Sequence, residues 1–343
     1  MTDAYAHAGV DTARSGGAVR ALVDVLRTID LGRPSRSVVS SGHYASVLQI
    51  APDLGLALCT DGVGSKVIVA EQTQRYDTVG IDCVAMNVND LICVGAEPVA
   101  MLDYLGVERA DAEMLAQIGA GLKAGAEQAG IEIPGGEVAQ LPELIRGHPS
   151  PRGFDLTGAA VGVVALEEIV TGAAVEPGDA LIGLPSSGVH SNGLTLARRA
   201  LLEDGGLELV DRPGELQGSS VAEVLLEPTV IYVRAVLELL RSELAVHGLA
   251  HITGDGLGNL LRLEADVGYA IEDPLPAPPV FELIARCGGV DDDEMHEVFN
   301  MGCGFVAVVP ADREDEVSAL LAAHHPGTRR IGTVTGEAGR VSR

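Results

Sequence analysis

The residues able to do chemistry gather in a few short stretches. CTDGVGSK, residues 59–66, closes an apolar run with one carboxylate, two glycines and a lysine. In its plainest reading Asp61 followed by Gly62 is a tight turn. In the other, Gly62 and Gly64 let backbone amides approach a ligand, Asp61 holds a hard cation, and Lys66 meets a phosphate oxygen. MNVNDLICVGAEP adds Asn87 and Asp90, three residues apart and so on one face of an apolar helix. A carboxylate and an amide in such a helix need partners: a cap, a buried salt bridge, or a cation. Glu137, in IPGGEVAQLP, is a third acidic residue set beside glycines and the weaker metal candidate.

The second half carries a different kind of site. In LPSSGVHSNG, Ser186, Ser187 and Gly188 precede a helix whose free N–H groups can bind an anion, with His190 and Asn192 at its mouth. The competing reading is an ordinary Ser/Asn cap with a surface histidine. HITGDGLGN repeats the logic with His251, Thr253 and three glycines. His247 and His251 have the spacing of a helical zinc pair, but Gly248 weakens a helix there and no third ligand is near, so zinc is not expected. There is no GxSxG, Walker A or GxGxxG motif.

These stretches must be positioned by alternating strands and helices. LGLALC reads as a strand leading into Asp61, and the run after Asp77 as a helix capped by Asp77 or Thr78 and stopped by Gly95. Strands EPVAMLDYLGV and DLTGAAVGVVA flank a second helix from Asp111 to Ala129. Beyond a Pro-Gly turn, DALIGL, GFVAVVP and RRIGTV read as strands, with helices at Leu194, around 221–240, at 282–287 and from Glu314. The fold class is α/β, mixed α and β, in two domains, 1–168 and 169–343.

Composition bounds the function. The 343 residues carry a net charge of -26, are 47% apolar and only 3% aromatic, and contain no Trp. Such a surface repels phosphate backbones and anionic lipid and offers few rings for stacking bases, so nucleic-acid and membrane-surface binding are not expected. Five cysteines without a CxxC pair suit a reducing cytoplasm. The N-terminal MTDAYAHAGVD lacks the basic flank and apolar core of a signal peptide, and no run reaches the roughly 18 apolar residues of a membrane span.

Taken together, YAHAGVD, TDGVGSK, GIDCVAMNVNDLICVGAEPVAMLDYL, GGEVAQLP, SSGVHSNG, HITGDG and FNMGCGFVAVV resemble, in order and spacing, the aminoimidazole ribonucleotide synthetases, or phosphoribosylformylglycinamidine cyclo-ligases. The resemblance covers nearly the whole chain. It implies an ATP- and Mg2+-dependent ring closure in purine biosynthesis on a small ribonucleotide. It also implies a homodimer whose N-terminal domains share a β-barrel, with an α/β C-terminal domain. By the same resemblance Asp61 and Asp90 hold Mg2+ against ATP, with Glu137 behind them, and Gly62, Gly64, Lys66 and Asn87 line the nucleotide. Ser187, Gly188, His190, Asn192 and Thr253 face the substrate, and His190, Asp90 and His251 are the catalytic candidates. Three departures stand out: SSGHYASVL in place of a glycine-rich loop, where His43 and Tyr44 could cover the nucleotide or instead pack at an interface; Val138 and Gln140 after Glu137; and Asp255 where a glycine is common. The rival readings are a thiamine-monophosphate kinase or selenophosphate synthetase of the same superfamily, and a non-catalytic nucleotide-binding paralogue.

Overall fold

A computed structural model describes residues 8–9, 12–40 and 42–343, so most of the YAHAGVD motif lies outside the described residues. The exposed helix α1 (Thr12–Leu26) leads in. A six-stranded sheet follows, made of β1 (Ser37–Val39), β2 (Ser46–Gln49), β3 (Leu54–Gly62), β4 (Glu97–Val107), β5 (Glu132–Gln140) and β6 (Phe154–Ala165), in the order β1-β2-β3-β6-β4-β5. Three helices belong to it: α2 (Lys66–Thr73), α3 (Val79–Ile92) and α4 (Ala112–Ala129).

The second domain repeats the plan. Its six-stranded sheet has the order β12-β9-β11-β7-β10-β8, from β7 (Ala180–Pro185), β8 (Gly248–His251), β9 (Gly268–Ile271), β10 (Cys303–Val309), β11 (Arg329–Thr335) and β12 (Val341–Ser342). Its helices are α5 (Leu194–Arg198), α6 (Val221–Leu225), α7 (Val233–Leu240), α8 (Pro279–Gly288), α9 (Asp292–Val298) and α10 (Glu314–His324).

The alternation expected of an α/β fold is present, but the pairing makes both domains α+β. Among the described residues only β4–β5 and β9–β12 are parallel. The helical crossover from β3 does not end beside it, because β6 inserts antiparallel between β3 and β4. Strands β5 and β8 escape a periodicity reading for separate reasons. The first contains Pro134 and two glycines, tolerable because it is an edge strand, and the second is four residues long.

Helix α3 is the centre of the molecule. All but two of its residues are buried, as expected for a helix apolar on every side. It packs on β3, β6 and α4 of its own domain and on α7 and β8 of the other. Each fully buried Val, Leu or Ile here contributes about 1.5–3 kcal/mol of apolar burial. Any polar side chain on this helix is therefore forced to find a partner in one domain or the other. Among the described residues no helix packs on the opposite face of the first sheet, which exposes Val38, Leu102 and Tyr104. Among the described residues no helix is long and apolar enough to cross a membrane.

Candidate active site

Asp61 is delivered by the end of β3 and fixed by Asn87 on α3. The Asn87 Oδ1 accepts the Asp61 N–H at 3.0 Å, and its Nδ2 donates to the Asp61 carbonyl at 3.1 Å and to the Cys83 carbonyl at 2.9 Å. The amide thus pairs with both backbone groups of one residue, as a neighbouring strand would. The Asp61 carboxylate accepts the Gly62 N–H at 2.7 Å. Gly64, at φ +69°, turns the chain into α2, a backbone conformation that favours glycine. Ser65 Oγ then lies 2.8 Å from Thr195 Oγ1 of the second domain.

Asp90 sits in the last turn of α3 and faces β8. His251 Nδ1 is 2.9 Å from Asp90 Oδ1; the imidazole is fully buried and the carboxylate side chain 17% exposed. Asn89 Nδ2 lies 3.5 Å from His251 Nε2, so Nε2 accepts and Nδ1 carries the proton shared with Asp90. Burial, and next the Asp90 charge, push the Asp61 carboxyl above its ordinary range, with the Gly62 N–H pulling it back. The Arg262 guanidinium also acts on Asp61 and Asp90. It lies 5.3 Å from the Tyr44 ring centroid and 3.1 Å from Asp255 Oδ2.

Two partly exposed oxygen-donor carboxylates suit Mg2+, which keeps water and phosphate oxygens among its ligands. Asp61's raised pKa supports the fit, since a cation would relieve the charge that burial and Asp90 make unfavourable. Among the described residues no three His, Cys, Asp or Glu side chains form a group that could hold an ion alone. Glu137 does not join the pair. Asp61 pairs across to Gly158, Gly158 to Asp103, and Asp103 to Gly136, which places Glu137 three strands from Asp61, roughly 14 Å at ordinary strand spacing, and exposed.

Several expected ligands turn out to be engaged elsewhere. Lys66 does not line a nucleotide site: it is fully buried, 2.8 Å from Asp82 Oδ2, and donates to the Glu227 carbonyl at 2.6 Å. The Asn87 amide is occupied by β3 and by Cys83. His251 braces Asp90 and has no exposure from which to reach a ligand. Thr253 gives its N–H to Asn259 Oδ1 at 2.6 Å, with its hydroxyl 3.2 Å from the same atom. His43 Nε2 lies 3.2 Å from the Thr171 carbonyl, and Tyr44 donates to the Asn259 carbonyl at 2.8 Å. The SSGHYASVL segment therefore joins the two domains within one chain, a role absent from both sequence-level alternatives.

The second-domain loop remains a candidate binding surface. Ser187 Oγ donates to the Pro228 carbonyl at 2.6 Å, and the Ser187 N–H to His190 Nε2 at 3.2 Å. Asn192 Nδ2 is 3.9 Å from the Met86 sulfur and lies beside Gly254, bringing this loop to HITGDG and α3. Asn300 shapes the turn from beneath, accepting from Ser186 at 2.7 Å and donating to the Gly188 carbonyl at 2.8 Å. A 380 Å³ cavity opens beside Ser187 and Gly188, with Leu216 and Glu227 in its wall. A larger one, 590 Å³, lies by the C-terminal strand and touches none of the candidate residues.

Asp82, Asn89, Asn259, Arg262 and Asn300 carry this architecture and were not singled out in the sequence. For Asp82 and Asn89 a signal was available: polar residues seven apart on an apolar helix share a face as surely as Asn87 and Asp90 do. The partners of Arg262 and Asn259 come from distant segments and leave no local mark.

The two domains match two family models over most of their length: AIR synthase related protein, N-terminal domain, at residues 42–164, and AIR synthase related protein, C-terminal domain, at 176–342. These matches, with the two-domain fold, define a protein of the AIR synthase related class. The phosphoribosylformylglycinamidine cyclo-ligase of Thermococcus kodakarensis is 48% identical over 341 residues, 98% of this chain and 96% of the relative. That of Methanothermobacter thermautotrophicus is 47% identical over 343 residues, with the same coverage. The chain belongs to the phosphoribosylformylglycinamidine cyclo-ligase family. Solved structures share its fold at low identity. AaThiL complexed with AMPPCP and TMP has a TM-score of 0.65 at 18% identity, over 95% of this chain and 92% of that one. Thiamine-monophosphate kinase from Stenotrophomonas maltophilia has 0.62 at 22%, over 94% and 95%.

Proposed function

We propose that this chain closes the imidazole ring of aminoimidazole ribonucleotide, using ATP to activate the formyl oxygen of formylglycinamidine ribonucleotide. Phosphorylation makes that oxygen a leaving group; an internal nitrogen attacks, and ADP and phosphate are released. The observation that carries the reading is near-full-length identity of 48% to a cyclo-ligase, spanning both sides of the cleft. The thiamine-monophosphate kinase reading has only likeness of fold at 18–22% identity in its favour.

Phosphoryl transfer depends on positioning and charge neutralisation more than on a covalent nucleophile. Asp61 and Asp90 would hold Mg2+, which when bound supplies positive charge for the phosphates. Arg262 takes the part that Lys66 cannot, presenting a guanidinium fixed by Asp255 and Tyr44 to the phosphate end of the nucleotide. Ser187, Gly188 and Asn192 receive the ribonucleotide. Burial holds His190 neutral, well below its ordinary pKa, so it acts as a hydrogen-bond donor rather than a cation. The domains divide this work at residues 168/169. The helix-free apolar face of the first sheet pairs with a second copy, because it is too apolar to stay in water.

Purified protein given ATP, Mg2+ and formylglycinamidine ribonucleotide is expected to release ADP and phosphate in equal amounts and to form aminoimidazole ribonucleotide. ATP consumption with thiamine monophosphate alone, or none with either substrate, would overturn the proposal.

A further inference from the structure

Phosphate chemistry at the cleft leaves Asp82 and Asn89 unexplained. They are seven residues apart on α3, about two helical turns, and so share one face. That face meets residues 227–232, the non-helical stretch between α6 and α7, where Pro228 interrupts any continuous helix. Asp82 Oδ1 accepts the Thr229 N–H at 2.8 Å and its hydroxyl at 2.7 Å. Lys66, paired with Asp82, donates to the Glu227 carbonyl at 2.6 Å. Asn89 Oδ1 accepts the Tyr232 N–H at 3.0 Å, and its Nδ2 donates to the Val230 carbonyl at 2.8 Å. Lys66, Asp82 and Asn89 are all fully buried, so water does not compete for these bonds.

The other edge of the same stretch holds the second-domain loop. The Pro228 carbonyl accepts the Ser187 hydroxyl at 2.6 Å, and the Val230 N–H lies 3.5 Å from His190 Nε2. The Tyr232 hydroxyl donates to the Pro185 carbonyl at 2.8 Å, where the loop begins. His190 has φ +60°, a conformation a non-glycine residue keeps only where its surroundings over-determine it. Gly304 makes room for this, since a Cβ there would lie 2.0 Å from the Tyr232 hydroxyl and 2.8 Å from His190 Cε1. With Nε2 accepting from backbone amides, the His190 proton is on Nδ1, which is buried and has no acceptor among the described residues.

We infer that residues 227–232 are a strap through which α3 of the first domain sets the position of Ser187 and His190 in the second, with Lys66, Asp82, Asn89 and Thr229 as positioning residues for the ribonucleotide. The inference rests on the proposal that the 186–192 loop faces that substrate. It turns the conspicuous lysine of the TDGVGSK motif from a phosphate ligand into an anchor of the opposite domain.

Thr229→Val is the discriminating variant, because it keeps shape and the backbone N–H and removes only the hydroxyl donor. The KM for formylglycinamidine ribonucleotide is expected to rise roughly 5–10-fold, the scale of one typical net hydrogen bond, with the KM for ATP changed less than about 2-fold. Thr229→Ser should restore it. The 15N signals of the His190 imidazole should move in Thr229→Val and return in Thr229→Ser. A lower melting temperature with unchanged KM and unchanged imidazole signals would overturn the strap. Should Thr229→Val not fold, hydrogen exchange on the unaltered protein decides: the Thr229 and Tyr232 amides should exchange together with the core amides of α3, and fast independent exchange refutes the coupling. Asn192→Ala separates the two ideas. If it leaves the ribonucleotide KM unchanged, the loop assignment fails, while the imidazole signals still report on the strap.

Discussion

Two carboxylates on α3, eight residues apart, have opposite circumstances. Asp82 is fully buried, faces the Lys66 ammonium at 2.8 Å and takes two donors from Thr229. Asp90 is partly open, is partnered by the imidazole of His251, and lies within electrostatic reach of Asp61, whose carboxyl burial and Asp90 push up. The first has its charge balanced inside the protein; the second has it left over. A buried acid on an apolar helix is thus no guide to chemistry until its partners are counted. The lysine expected to serve the ligand serves Asp82 instead.

The sharpest way to break this contrast is to exchange the consequences. Lys66→Met leaves the Asp82 charge buried and unpaired and should cost about 3–5 kcal/mol of stability, read as a large fall in melting temperature or denaturant midpoint. Asp90→Asn should reduce turnover by on the order of 100-fold or more while the fold stays close to its original stability. If the two variants instead resemble each other, both carboxylates are structural and the cleft assignment is wrong.

Arg262→Met tests what replaces Lys66. Loss of a guanidinium held by Asp255 and Tyr44 should raise the KM for ATP roughly 10-fold, with melting little changed because the Asp255 pair is exposed. An unaltered ATP constant would leave the phosphates without a protein cation.

Smaller effects concern pH. A raised folded-state pKa for Asp61 means the folded protein binds more protons than the unfolded chain, so this group's contribution weakens as pH rises above the ordinary carboxylate range. Asp61→Asn should therefore raise the melting temperature modestly at neutral pH even as it removes activity. The histidines work the other way. His190 and His43 are held below 6.5 by burial, and His325 to about 4 by burial and His324. Unfolding takes up protons there, so stability should fall as pH drops below 6.5, and His325→Gln should flatten part of that slope. A slope unchanged by this substitution would remove His325 from the account.

The smallest expected effect is ionic. With 49 acidic against 23 basic residues, melting temperature should rise from low to moderate NaCl as repulsion is screened over about 10 Å. A flat response would mean that the charges are too dispersed to interact.

The strand that carries Asp61, the helix that carries Asn87 and Asp90, and the helix from Asp111 to Ala129 were legible in the sequence because periodicity is a local property, although the middle helix has no side-chain cap at Thr78 and stops at Cys93, ahead of Gly95. The chemical types at the cleft were legible for the same reason, as was the family. What the side chains do with those types was not. Lys66 is 16 residues from Asp82 and 161 from Glu227, and His251 is 161 from Asp90. Whether a lysine meets phosphate or an aspartate, and whether a carboxylate is neutralised or left poised, depends on which distant segment arrives beside it. Chain order lists the charges; only packing, which excludes water and fixes the neighbours, decides which are cancelled.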